Sequence, residues 1–286
     1  MITPFDDIFK LENRSFVMYR LVDCHRYGNT HIIISMDKPS FDTILPMPDL
    51  NLAKRILCIQ PHYDDNDIGA GATLAALQEK GAELIYLTVT NDLMGVMDAS
   101  LSPTEAAETL KRDQAAAANI IGVKEQIWLG YPDAGEYDYF QVWRDLLKHI
   151  RMVKPDFIFA PDPWLTYEAH RDHYTTGLAA ASAASLFGLT KIPSSDPAVD
   201  STYEPHNLLG IAFYFTREPN YFSGVDATWE KKVEAVKCYK AQFDPDGMEQ
   251  LLFALDFKAR QFAERHGCDR AEGLKVLNTT SLHCGI

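Results

Sequence analysis

The chain has 286 residues, 47% hydrophobic and 23% charged, values that exclude a disordered or fibrous polymer and permit one large domain or two small ones. Forty acidic residues against 27 basic leave a formal charge of −13, which repels phosphate backbones and anionic lipid and argues against nucleic acid and membrane partners. No apolar run approaches the roughly 20 residues that span a bilayer. The opening MITPFDDIFKLENRSF lacks the basic-then-apolar pattern of a secretion signal. Cys24, Cys58, Cys238, Cys268 and Cys284 form no CxxC pair, so reduced thiols in a cytoplasmic protein are expected.

In chain order, VMYRLV and HIIISM, separated by YGNT, read as a β-rich extension, and the proline-punctuated PSFDTILPMPDLN as a connector. Residues 1–50 are therefore set apart from a principal domain over 51–286. From Arg55 strands and helices alternate. ILCIQ is a buried strand, followed by a helix expected from Ala72 to Lys80 that Gly81 ends. AELIYLTVT is a second strand. PTEAAETLKRDQAAAANIIG is a long helix, with Pro103 near its start and Gly122 past its end. EQIWLGY, FQVWRDLLKHIRMV and DFIFAP then read as strand, helix and strand. LLGIAFYFT is a late strand; KKVEAVKCYKAQF and LLFALDFKARQFAERHG read as helices. The rhythm predicts a three-layer, Rossmann-like α/β fold: a mainly parallel sheet with helices on both faces. Sites in such sheets form in the crevice beyond the carboxyl ends of the strands.

Two segments fall at such ends. Pro61-His62-Tyr63-Asp64-Asp65 follows ILCIQ, and Glu168-Ala169-His170-Arg171-Asp172-His173 follows DFIFAP. Alone, the first reads equally well as a turn with helix-capping carboxylates and the second as a solvated helix start. Together they offer the imidazoles and carboxylates that suit zinc or a similar divalent ion. Two histidines and one aspartate as ligands leave a spare aspartate to accept a proton from water and a spare histidine to stabilise an oxyanion. That is the donor set of metal-assisted hydrolysis. The GAGA run at Gly69–Ala72 lacks both the lysine-serine of a phosphate loop and the spacing of a dinucleotide fingerprint, so it reads as close packing at a helix start.

PHYDDNDIGAGATLAAL resembles the PHPDD motif and glycine-rich helix start of the LmbE-like, or PIG-L, family of zinc-dependent N-acetylglucosamine deacetylases. His170-Arg171-Asp172-His173 matches that family's later HxDH motif. The similarity runs on through TLKRDQAAAANIIGV, WLGYPDAG and AEGLKVLN, over about residues 55–283. It implies removal of an acetyl group from an N-acetylated amino sugar. Zn2+, or another divalent metal, would be held by His62, Asp65 and His173. Asp64 would be the general base and His170 the support of the oxyanion or leaving group. Asp172 would orient an imidazole, and Asp133 and His283 would line the sugar pocket. The implied partner is a small amino sugar, and the N-terminal extension would serve as a lid or as the arm of a homo-oligomer.

The departures are also informative. Tyr63 replaces the motif's proline and removes a fixed φ. Asp67 matches relatives with PHPDDxE, nearest the chitobiose-deacetylase-like branch. Leu110 stands where many relatives carry an arginine one turn before the acidic residue at Asp113, and NDLMGVMD replaces a more polar loop. Trp164 and Tyr167 lie close enough to the second motif to stack on a sugar, unlike Trp143 and Tyr139. Hydrolysis of a different N-acyl conjugate, or metal and sugar binding without turnover, are the rival readings.

Overall fold

The computed structural model describes residues 45–283; the expected β-rich extension lies outside them, apart from the end of its connector. Contacts group the chain into Met1–Pro46 and Met47–Ile286. The second unit contains a seven-stranded sheet in the order β3-β2-β1-β4-β5-β7-β6. The strands are β1 (Arg55–Gln60), β2 (Glu83–Thr90), β3 (Glu125–Tyr131), β4 (Phe157–Pro161), β5 (Gly210–Tyr214), β6 (Tyr221–Gly224) and β7 (Ala271–Leu277). The first five are parallel, and β7 runs antiparallel to both β5 and β6. β1 has β2 on one side and β4 on the other, so the winding reverses there and opens a crevice beyond their carboxyl ends.

Successive strand residues point to opposite faces, and the core divides accordingly. Ile56, Cys58, Phe157 and Phe159 join one apolar cluster with Leu74, Leu110 and Ile121, contributed by α1 (Asp65–Glu79) and α2 (Pro103–Ile121). Leu57, Ile59, Ile158 and Ala160 join the other with Leu146, Ile150 and Ala180, from α3 (Tyr139–Val153) and α4 (Arg171–Leu186). Three shorter or later helices follow, α5 (Pro197–Thr202), α6 (Trp229–Val236) and α7 (Pro245–Ala263). Among the described residues, no helix is long and apolar enough to cross a membrane.

Local chemistry sets the helix ends. Ser102 and Glu105 form a capping box at the start of α2, Pro103 opens it, and Gly122 ends it at φ 91°. Three helices differ from expectation at a boundary. α1 begins at Asp65 rather than Ala72, because Gly69 and Gly71 are helical. A Cβ at Gly69 would collide with the Tyr214 ring, so glycine permits close packing there instead of breaking the helix. α6 ends at Val236 rather than running on to Phe243, since the chain turns and places the Tyr239 hydroxyl on Asp67. α7 starts earlier than the apolar run, at Pro245, where Asp244 caps Gly247.

Candidate active site

Both motifs occupy the crevice as expected from their positions after β1 and β4. Asp64 is the N-cap of α1 and its side chain makes no capping hydrogen bond; Asp65 accepts the His62 backbone N–H at 2.9 Å. Asp65 and Asp67 in the first helical turn lie where the helix dipole favours negative charge. His170 is the N-cap of α4, and its backbone N–H donates to Glu168 Oε1 at 2.7 Å. Thus each motif is fixed at a helix start by its own carboxylates.

The folded chain brings the three histidines together. Ring centroids lie 4.7 Å apart for His62 and His170, 5.2 Å for His62 and His173, and 4.9 Å for His170 and His173. Ligand atoms of these three lie within 4.8 Å of one another, as do those of His62, Asp133, His170 and Asp172. Asp65 bridges two of the rings, with Oδ2 3.2 Å from His62 Nδ1 and Oδ1 3.4 Å from His173 Nε2. Zinc bonds of about 2.0–2.1 Å set tetrahedral ligand–ligand edges of about 3.3–3.4 Å; the two Asp65 spacings are close to such edges, each through a different carboxylate oxygen, while the two groups of ligand atoms within 4.8 Å do not include Asp65. The other ring nitrogens face carboxylates: His62 Nε2 lies 3.4 Å from Asp133 and 3.5 Å from Asp172, and His173 Nδ1 lies 3.4 Å from Glu168. The donor chemistry and the geometry both suit a divalent ion.

The electrostatics point the same way. Burial disfavours a charged His62, but contacts with Asp133, Asp172 and Asp65 outweigh it and raise its pKa well above the ordinary value. A pocket that draws a proton onto an imidazole will also draw a metal cation. Burial opposes ionisation of Asp65, yet the charge of His173 and the contact with His62 bring its pKa to about 2. Asp64 is pushed the opposite way, by burial and then by the charges of Asp65 and Asp92. His170 is lowered by burial and by the neighbouring His62 and His173.

The remaining expected residues divide into those inside the cluster and those outside it. Asp172 is fully buried; it accepts the Ala134 N–H and the Tyr137 hydroxyl, with Oδ2 3.5 Å from His62 Nε2. Asp133 is also buried, with Oδ1 3.4 Å from His62 Nε2 and Oδ2 accepting the Met94 N–H. His283 is exposed, and no contact given by the structure joins its side chain to the cluster. Leu110 is a fully buried core residue, so it presents no polar group to a substrate.

Other residues at the site carry no motif. Asp92 follows β2, is buried and left-handed at φ 53°, and accepts the Tyr63 backbone N–H. Burial foremost raises its pKa to about 7. Phe215 follows β5 at φ 59° and stacks on His173 with centroids 5.9 Å apart. Their shared signal in the sequence is position, directly beyond a parallel strand.

Known proteins share this arrangement's sequence and fold. Residues 57–184 match the family model described as PIG-L, GlcNAc-PI de-N-acetylase. The diacetylchitobiose deacetylase of Thermococcus kodakarensis is 34% identical over 234 residues, covering 82% of this chain and 86% of that protein. The structure of N,N'-diacetylchitobiose deacetylase from Pyrococcus horikoshii, in complex with its inhibitor MPG, superposes with a TM-score of 0.76 at 36% identity. It covers 82% of this chain and 88% of the other. The conserved protein TT1542 from Thermus thermophilus gives a TM-score of 0.64 at 28% identity, over 77% of this chain and 93% of its own. With a relative this similar over most of both chains, and with both motifs assembled in one crevice, the chain belongs to the PIG-L family of de-N-acetylases.

Proposed function

We propose that this protein is a metal-dependent N-deacetylase that hydrolyses the acetamide of an N-acetylated amino sugar of the N-acetylglucosamine type. The observation that carries the reading is Asp65 bridging His62 and His173, with Asp64 buried and uncapped beside it, in a chain so similar to a diacetylchitobiose deacetylase. His62, Asp65 and His173 would hold the ion. When bound, zinc or a comparable ion polarises the acetamide carbonyl and makes hydroxide available near neutral pH.

The other roles fall to the protein's side chains. Asp64 accepts the proton of the attacking water, and its free oxygens and buried position suit that task. His170, edge-on to His62, donates to the oxygen that gains negative charge as the carbonyl carbon becomes tetrahedral. The amine leaves after protonation, and acetate and the free amino sugar are the products. Asp172 and Asp133 orient His62 from its Nε2 side. The free thiols Cys58, Cys238 and Cys268 support action in a reducing compartment, the cytoplasm.

The test is acetate release from N-acetylglucosamine and N,N'-diacetylchitobiose by zinc-loaded protein. Stoichiometric acetate with appearance of a primary amine is expected. Turnover of N-acetyl amino acids, with no acetate from either sugar, would replace the sugar reading with the other N-acyl one.

A further inference from the structure

The loop after β3 is gripped by the first turn of α4. Pro132 to Gly135 form a turn closed by the Gly135 N–H, which donates to Pro132 O at 3.1 Å. Its third residue, Ala134, is left-handed at φ 50°. That place in a turn ordinarily goes to glycine or asparagine, because an alanine Cβ disfavours positive φ and brings no polar group to compensate. Consecutive residues of α4 hold this peptide from both sides. Asp172 Oδ2 accepts the Ala134 N–H at 2.8 Å. Arg171 Nη2 donates to Ala134 O at 2.9 Å and to Gly135 O at 2.6 Å.

Arg171 does not stand where electrostatics alone would put a cation. It is the first residue of α4, and a helix dipole favours negative charge there. It is exposed, and the arginine ion pairs among the described residues belong to Arg55, Arg151, Arg260 and Arg270 instead. Its side-chain hydrogen bonds go to the two loop carbonyls. The two hydrogens on one planar guanidinium nitrogen suit such a pair of adjacent acceptors.

The residue that this turn presents to the site is Asp133. Its Oδ1 lies 3.4 Å from His62 Nε2, beside Asp172 Oδ2 at 3.5 Å. Of the two carboxylates that face this nitrogen, one is carried by the turn and the other is bonded to it. We infer that Arg171 is a positioning residue for the active site. It keeps Ala134 left-handed, which holds Asp133 and Asp172 on the Nε2 side of His62 and so fixes the imidazole for the metal. The inference rests on the metal-site reading above and gives a role to the residue that the HxDH motif leaves open.

The experiment measures zinc affinity, by competition with a chelating dye, for the wild-type protein, Arg171→Ala, Ala134→Gly and the two changes together. Loss of a nearby cation would by itself favour zinc. Loss of the clamp should instead weaken zinc binding about tenfold, as removal of a group that orients a metal-binding histidine does. Glycine carries no left-handed penalty, so the double variant is expected to recover to within threefold of Ala134→Gly alone. A loss smaller than threefold in Arg171→Ala, or a gain, overturns the inference. So does a tenfold loss that Ala134→Gly fails to restore, which would make Arg171 a general support of the fold. If wild-type protein binds zinc but releases no acetate from N-acetylglucosamine or N,N'-diacetylchitobiose, the deacetylase reading falls while the affinity series still decides on Arg171. No zinc binding by wild-type protein removes both.

Discussion

The backbone N–H of Tyr63 donates to Asp92 Oδ2 at 3.1 Å, a bond for which the proline of the family motif has no hydrogen. The same oxygen accepts Gln242 Nε2 at 2.9 Å, and the Tyr63 carbonyl accepts from Gln60 and Gln114. Three side-chain hydrogen bonds thus hold the Tyr63 backbone, and a fourth holds Asp92 in place. Asp92→Ala removes an acceptor from a buried donor and strains the left-handed position, at a cost of about 1–3 kcal/mol. Asp92→Asn keeps an acceptor and tolerates that conformation, so it should cost clearly less. Chemical denaturation of the two variants checks this; equal losses would show that the bond contributes little.

Asp64 is buried without a capping bond, which leaves its carboxylate free for chemistry. Asp64→Asn should lower kcat by about 10²–10⁴-fold while zinc affinity changes by no more than a few-fold. Metal titration and acetate release on the same preparation separate the two effects. Loss of metal with loss of activity would make Asp64 a ligand instead.

The start of α1 is clamped from below by a buried charge network. Lys232 Nζ donates to Glu272 and to Ile68 O, and Glu272 also accepts the Thr73 N–H and hydroxyl. Lys232 and Glu272 are almost wholly buried. Glu272→Ala leaves an ammonium buried without its partner, and about 3–5 kcal/mol of stability should be lost. Lys232→Met combined with Glu272→Met should cost less than the sum of the single changes, because neither charge is then left alone. Thermal or denaturant unfolding of Glu272→Ala, of the two single methionine variants and of their combination measures the loss and the coupling, and strict additivity would contradict the coupling.

Away from the site, His149 is held neutral. Burial, then the charge of Lys148, lowers its pKa from 6.5 to about 4, and its Nδ1 has no partner among the described residues. The unfolded chain takes up a proton below pH 6.5 while the folded chain resists until about pH 4. Stability is therefore present above pH 6.5 and falls as the pH drops through that interval, by at most about 3 kcal/mol for this group. His149→Gln should flatten that part of the stability profile. An unchanged slope between pH 6.5 and 4 would show that His149 is solvated.

Much of this molecule was legible in its residues. The five parallel strands follow from short β-branched runs, and α2 from Ser102, Pro103 and Gly122, each acting through its own backbone geometry. Both metal-type motifs were legible because they follow strands, where a reversal in winding brings them together. The start of α1 was not, because whether Gly69 breaks a helix or admits a neighbour depends on Tyr214, 145 positions away in the chain. Asp92 and Phe215 were missed for a similar reason. Each reaches the site through a left-handed residue beyond a strand, and neither has a local pattern that distinguishes it from an ordinary turn. The motif assigns Asp133 to the sugar, yet only the fold shows its carboxylate turned to His62 and Met94.

The central claim is that the His62, Asp65 and His173 constellation holds a metal on which acetate release depends. Titrating zinc into chelator-treated protein, with turnover of N,N'-diacetylchitobiose followed at each addition, tests it most directly. Activity should be absent at the start, rise in proportion to zinc, and break at about one equivalent per chain, with neither binding nor turnover restored in His173→Ala. Full activity after chelation, or a full equivalent bound in the His173→Ala protein, would contradict it.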